Sequence, residues 1–175
     1  MDSNDRDLRE VWRQDVGALT ALLQSGHPIE PDALAGKSFR GVSIGLPPIV
    51  IRFTWLTFRK RFWRRQGDGE LCGHNERLEQ TGTEGTSVPM VDTDGPIVFG
   101  PFVVTASAPN PFGVSTGLLL DYGLRHPAWH PLARVRDPLV SLRRGQADLL
   151  LGATYLQFPW GQLRTPSFFT LQRED

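Results

Sequence analysis

Apolar residues recur along this chain in two rhythms. Between residues 4 and 25 they fall at three- and four-residue spacing, as Leu8, Val11, Trp12, Val16, Leu19, Leu22 and Leu23, with charges between them. That spacing predicts one amphipathic helix, ended by Gly26 and Pro28. After a proline-broken connector at 27–35 the rhythm shortens to runs bounded by Gly, Pro or Asp, which predict strands. Strands are expected at 36–44, 57–65, 70–80, 117–123, 134–142, 148–158 and 162–173. Residues 96–108 read as a strand pair, or as one strand bent at Gly100-Pro101. Residues 47–57 suit a short helix or plug opened by Pro47-Pro48, although their β-branched content also fits a strand. The stretch 81–95, rich in Gly, Thr, Ser and Asp, reads as a mobile loop.

These elements predict a mainly β protein of eight or nine antiparallel strands behind an N-terminal amphipathic helix. The helix and connector occupy residues 1–33, and the strands occupy 34–175 within one domain. At 175 residues the chain is long enough for one sizeable core and too short for two comfortable ones. The formal net charge is zero, which gives no global bias toward nucleic acid. The run Arg59-Lys60-Arg61-Phe62-Trp63-Arg64-Arg65 interleaves cations with aromatics, but acidic segments flank it, so it reads as a solvated strand edge. No nucleic-acid partner is expected. The acidic N-terminus lacks the order of a signal peptide, no run is long enough to span a membrane, and a single cysteine, Cys72, fits a reducing compartment. A cytoplasmic location is the expectation.

The segment Leu34-Ala35-Gly36-Lys37-Ser38-Phe39-Arg40-Gly41, with Asp121-Tyr122, Arg136-Asp137 and Leu151-Gly152 near the end, carries a resemblance. It is similar to the lipocalin-like (calycin) barrels, and more narrowly to a bacterial lipocalin-like family of unknown function marked by a G-x-W-x-G motif. Phe39 stands where that family has tryptophan, one residue farther from the first glycine. The resemblance implies an up-and-down barrel around an apolar, partly polar-lined cavity, and it implies no particular activity.

The candidate chemistry lies in the last third of the chain, where carboxylates and tyrosines interrupt apolar runs. Asp121 and Tyr122 are adjacent on a strand and must face opposite ways. An inward Asp would have a raised pKa suited to acid–base work, whereas an outward Asp121 would end the strand and hold a turn. Asp137 shares a face with Val135, Leu139 and Ser141, while Arg136 looks the other way, and Asp121 can pair across strands with Arg134 or Arg136. Tyr155, on the face of Leu149, Leu151 and Ala153, offers a second phenol. The leading expectation is a barrel that binds a hydrophobic or amphipathic small molecule among Phe102, Leu119, Leu139 and Leu151, with Arg136, Asp121 or Tyr155 at its polar end. Its rival is a cofactor-free isomerase, cyclase or lyase using Asp121 or Asp137 with Tyr122 or Tyr155. A roomy cavity holding a desolvated Asp121 or Asp137 would favour the rival. His126 and His130 are four residues apart, but their prolines argue against a helix and no third ligand follows, so neither a metal nor a cofactor is expected. The helix could also serve as the contact of a homodimer.

Overall fold

The computed structural model of the chain describes residues 3–45 and 55–174. The plug or strand expected over 47–57 therefore lies largely outside the described residues. Two helices, α1 (Ser3–Trp12) and α2 (Val16–Gln24), precede ten strands: β1 (Ser38–Ile44), β2 (Thr57–Arg64), β3 (Leu71–Arg77), β4 (Val91–Asp92), β5 (Gly95–Pro96), β6 (Val98–Ala106), β7 (Leu118–Asp121), β8 (Val135–Ser141), β9 (Leu149–Phe158) and β10 (Gly161–Arg173). Eight of them close an antiparallel barrel in the order β1-β10-β9-β8-β7-β6-β3-β2, while β4 and β5 make a separate two-residue hairpin. Apart from the β4–β5 hairpin inserted between β3 and β6, neighbours in the barrel follow one another in sequence, and β1 pairs with β10 to shut it. The closed eight-stranded antiparallel barrel is consistent with a lipocalin-like fold.

The single predicted helix is two. Asp15 adopts an extended backbone and its Oδ1 accepts a hydrogen bond from Ala18 N at 2.8 Å. An aspartate prefers this capping role to a place inside a helix, so it ends one helix and starts the next. Leu19 and Leu23 of α2, with Val11 of α1, bury against Val140, Leu151, Ala153 and Phe168 on the outside of the barrel. Trp12 Nε1 donates to Thr170 Oγ1 at 2.9 Å. The apolar face of the helices is thus covered by the chain's own barrel.

The alternation of the strands divides their side chains between two cores. Phe39, Phe62, Phe102, Leu120, Leu139, Leu150 and Leu171 fill one half of the barrel interior. Three glycines sit directly across from three inward phenylalanines: Gly41 from Phe58, Gly73 from Phe102, and Gly152 from Phe169. In each case a Cβ on the glycine would overlap the ring that lies over it. These glycines make room for rings in a narrow barrel.

Two strands carry irregularities. The β3–β6 register shifts beside Gly100-Pro101, and the β9–β10 register shifts across Thr165-Pro166-Ser167. Prolines cannot donate to a ladder, which is why they occur at such bulges. The segment 81–95, expected to be a mobile loop, carries β4 and accepts hydrogen bonds from the barrel. Arg40 donates to the carbonyls of Gly82 and Thr83, and Arg59 Nη2 donates to that of Ser87 at 2.9 Å.

Candidate functional site

The half of the barrel not filled by the packing around Phe39, Phe62 and Phe102 holds a partly open cavity of about 440 Å³. Its wall includes Phe58, Phe99, Leu132, Val135 and Phe169, with Trp55 and Ser43 at the end where β1 finishes and β2 begins. Among the described residues that line this space, Lys60, Asn75, Tyr122, Asp137 and Thr154 form one polar cluster, and Ser43 and Ser167 add two hydroxyls.

The fold builds this cluster from two cross-strand pairs. Lys60 of β2 lies opposite Asn75 of β3. The register of β8 with β9 sets Thr154 opposite Asp137. Tyr122, just past the end of β7, joins the two pairs across the barrel. Lys60 Nζ donates to Asn75 Oδ1 and to Tyr122 Oη, both at 2.7 Å. Tyr122 Oη in turn donates to Asp137 Oδ2 at 3.2 Å, and Thr154 Oγ1 donates to Asp137 Oδ1 at 2.8 Å. Lys60 Nζ stands 3.9 Å from Asp137 Oδ2. The bulge at Gly100 has a role here. It leaves the carbonyls of Phe99 and Gly100 to accept from Asn75 Nδ2, at 3.4 and 3.3 Å, which fixes the asparagine with its oxygen toward Lys60.

Lys60 is 2% exposed and Asp137 3%. Four rings surround the ammonium, those of Phe102, Phe169, Phe58 and Tyr122, at 5.0, 5.1, 5.2 and 5.4 Å to their centroids. Their π-faces partly replace lost water. Desolvation still dominates: it lowers the Lys60 pKa to about 8, against the pull of Asp137. Burial likewise raises Asp137, opposed by Lys60 and by the hydrogen bonds from Thr154 and Tyr122. Tyr122 is raised well above an ordinary phenol by burial and by the neighbouring Asp137 carboxylate.

A pH dependence follows. Folded Lys60 releases its proton near 8, whereas an unfolded lysine holds it to about 10.4. Between those values the unfolded chain binds more protons, so stability rises with pH across the window. Urea denaturation of wild type and Lys60→Met at several pH values from 7 to 10 checks this. Wild type gains stability relative to the variant as pH rises, and parallel profiles would refute the assignment.

The sequence-predicted residues separate cleanly by face. Asp137 and Tyr122 line the cavity, whereas Phe102 and Leu139 lie inside the barrel in its packed half and do not line it. Asp121, Arg136, Tyr155, Leu119 and Leu151 lie on its outer surface. Arg136 Nε pairs with Asp121 Oδ2 at 2.9 Å, directly across the β7–β8 ladder, and Asp121 Oδ1 accepts from Leu124 N at 3.2 Å. Asp121 therefore ends a strand and holds a turn. The Arg136 guanidinium fills the space over Gly123 that any side chain there would need. Leu119, Leu151 and Tyr155 pack beneath the helices, and burial raises the Tyr155 phenol. None of these five lines the cavity.

Lys60, Asn75 and Thr154 were not among the expected site residues. The expectation of a solvated strand edge for 59–65 fails for Lys60, because β2 lies between β1 and β3 in a closed barrel and has no free edge. The signal was present in the alternation: Phe58, Lys60 and Phe62 share one face, while Arg59 and Arg61 share the other and meet Glu76 at 3.2 and 3.6 Å. A lysine between two phenylalanines on one strand face is a lysine in the core.

His126 and His130 stack at 4.5 Å between ring centroids in the β7–β8 loop. Among the described residues no group of three or more His, Cys, Asp and Glu side chains is placed to hold a metal, and no helix is long and apolar enough to cross a membrane. Compared with known proteins, the chain matches no family model, no curated protein and no solved structure.

Proposed function

We propose that the barrel binds an amphipathic small molecule whose apolar body fills the cavity and whose head is polar but uncharged. The observation that carries this reading is the Lys60–Asp137 pair in a cavity whose wall is mostly apolar. Pockets for small molecules are mostly apolar with a few convergent polar groups, and about 440 Å³ is within their usual range. The charge on the head follows from electrostatics. Lys60 is already neutralised by Asp137, so a carboxylate head would meet an anion as closely as a cation. A carbonyl or hydroxyl meets donors and acceptors without adding a charge in a low-dielectric space. The polar end of the ligand is thus assigned to Lys60, Asn75 and Tyr122 rather than to Arg136, Asp121 or Tyr155.

The reading extends to the bacterial lipocalin-like family with the G-x-W-x-G signature, and to a cytoplasmic setting. The family part of it is supported by Phe39, which is fully buried and meets Phe62 edge-to-face at 5.5 Å, as an aromatic closing one barrel end would.

Calorimetric titration with decanol and decanoate tests the head-group assignment. Decanol is expected to bind the wild-type chain, and Val135→Trp, which fills the cavity, is expected to lose it while unfolding at a similar urea concentration. Equal or tighter binding of decanoate at pH 7 would overturn the neutral-head reading.

A second reading has its own observation. Asp137 is desolvated inside a roomy cavity and in contact with Tyr122, the arrangement expected of cofactor-free proton-transfer catalysis in an isomerase, cyclase or lyase.

A further inference from the structure

We propose that the amine of Lys60 condenses with the carbonyl carbon of an amphipathic aldehyde or ketone held in the barrel, forming a reversible imine. The proposal deepens the binding reading and rests on it.

The chain has two lysines, Lys37 and Lys60. Lys37 precedes β1 and does not line the cavity, whereas Lys60 projects into it from the middle of β2. Phe58 and Phe62 flank it on the same face, and apolar residues in place of both Lys60 and Asp137 would pack there without the cost of desolvating two charges. What the position offers is an amine facing an apolar chamber, with its proton traffic arranged around it. An amine in such surroundings is neutral more often than one in water, and only the neutral form has the lone pair that attacks a carbonyl.

Tyr122 Oη touches both ends of the proton path, accepting from Lys60 Nζ at 2.7 Å and donating to Asp137 Oδ2 at 3.2 Å. The ammonium proton passes through this phenol to the carboxylate, leaving a neutral amine and a carboxylic acid. The nitrogen lone pair then forms the C–N bond as the carbonyl π pair moves to oxygen, and that oxygen takes the proton the nitrogen gives up. The resulting hydroxyl leaves as water with the proton held by Asp137, while the nitrogen lone pair closes the C=N bond. The products are one water, a protonated imine on Lys60 and the Asp137 carboxylate beside it, so charge and electrons balance and no oxidant or reductant takes part. Thr154 Oγ1, donating to Asp137 Oδ1 at 2.8 Å, keeps the carboxylate turned toward the path. Asn75, held by the Phe99 and Gly100 carbonyls, acts as a positioning residue by accepting from Lys60.

The test uses the full chain with decanal and sodium cyanoborohydride, which reduces an imine to a stable amine, followed by peptide mass mapping. A decyl group is expected on Lys60, at least about tenfold more than on Lys37, because an amine titrating near 8 is roughly two pH units more available than an ordinary lysine. The labelling rate at Lys60 is expected to rise with a midpoint near pH 8, and Tyr122→Phe to slow it by about tenfold or more through loss of the proton path. Decanol, which cannot condense, separates the two levels of the argument. If decanol binds but decanal labels Lys37 and Lys60 alike, or leaves Lys60 unlabelled, the imine is refuted and the binding site stands. If neither compound binds, both readings fall. A folded Tyr122→Phe chain that labels at the wild-type rate would overturn the proton path.

Discussion

Lys60→Met is expected to destabilise the chain by about 3–5 kcal/mol at pH 7, and Asp137→Leu by a comparable amount, because each leaves a buried partner without its counter-ion. The residues are 2% and 3% exposed, so neither survivor can be rescued by solvent. The combined Lys60→Met/Asp137→Leu variant is expected to recover most of the loss, since two charges no longer need desolvation. Recovery is incomplete. The Tyr122 and Thr154 hydroxyls both lose Asp137 as acceptor, at about 1 kcal/mol each. The two singles also differ in pH response. In Asp137→Leu the amine escapes its isolation by losing a proton, so that variant is closer to wild type at pH 9 than at pH 7. A double-mutant cycle by urea denaturation reads all of this. Simple additivity of the two losses would show that the pair is not an energetic unit.

Gly73→Ala is expected to cost about 3 kcal/mol, at the upper end of the overpacking range, although it adds one carbon. That carbon falls on the Phe102 ring and 2.6 Å from the Arg61 carbonyl oxygen, so a ring rotation alone cannot make room. Gly41→Ala and Gly152→Ala press on Phe58 and Phe169 in the same way. These three phenylalanines are three of the four rings around the Lys60 ammonium, and displacing any one also disturbs the charged cluster. Gly67→Ala is the contrast. It has a left-handed backbone, φ 101°, but open space around it, and is expected to cost about 1 kcal/mol from backbone strain alone. Urea midpoints for the four variants give the comparison. Equal losses at Gly67 and Gly73 would mean that close packing over the strand glycines is not what holds the barrel.

The strands from 117 onward are legible in the sequence because each is a run with an apolar stretch between turn residues, and β7, β8, β9 and β10 fall within a residue or two of the expected bounds. The break between α1 and α2 was legible too, in Asp15, but a continuous apolar stripe through Val11, Val16 and Leu19 masks a cap in its middle. The candidate site was half legible. Asp137 and Tyr122 stand out as polar groups in apolar runs. Asp121, Arg136 and Tyr155 stand out equally, and they lie outside. Lys60 was hidden among six neighbouring cations and aromatics, where charge suggests solvent until the strand's two faces are separated.

Period-two alternation by itself determined which residues share a face. Phe58 goes with Lys60, Asp137 with Leu139, and Asp121 with neither. Only the tertiary structure decided which face is interior, because both faces of β7, β8 and β9 are apolar: one lines the barrel and the other is roofed by the helices. Closure of β1 on β10 makes that choice, and it also brings Lys60 across the barrel to Asp137. A strand specifies its own two sides, but burial and an ion pair between distant strands are properties of the closed surface, set when the last strand meets the first.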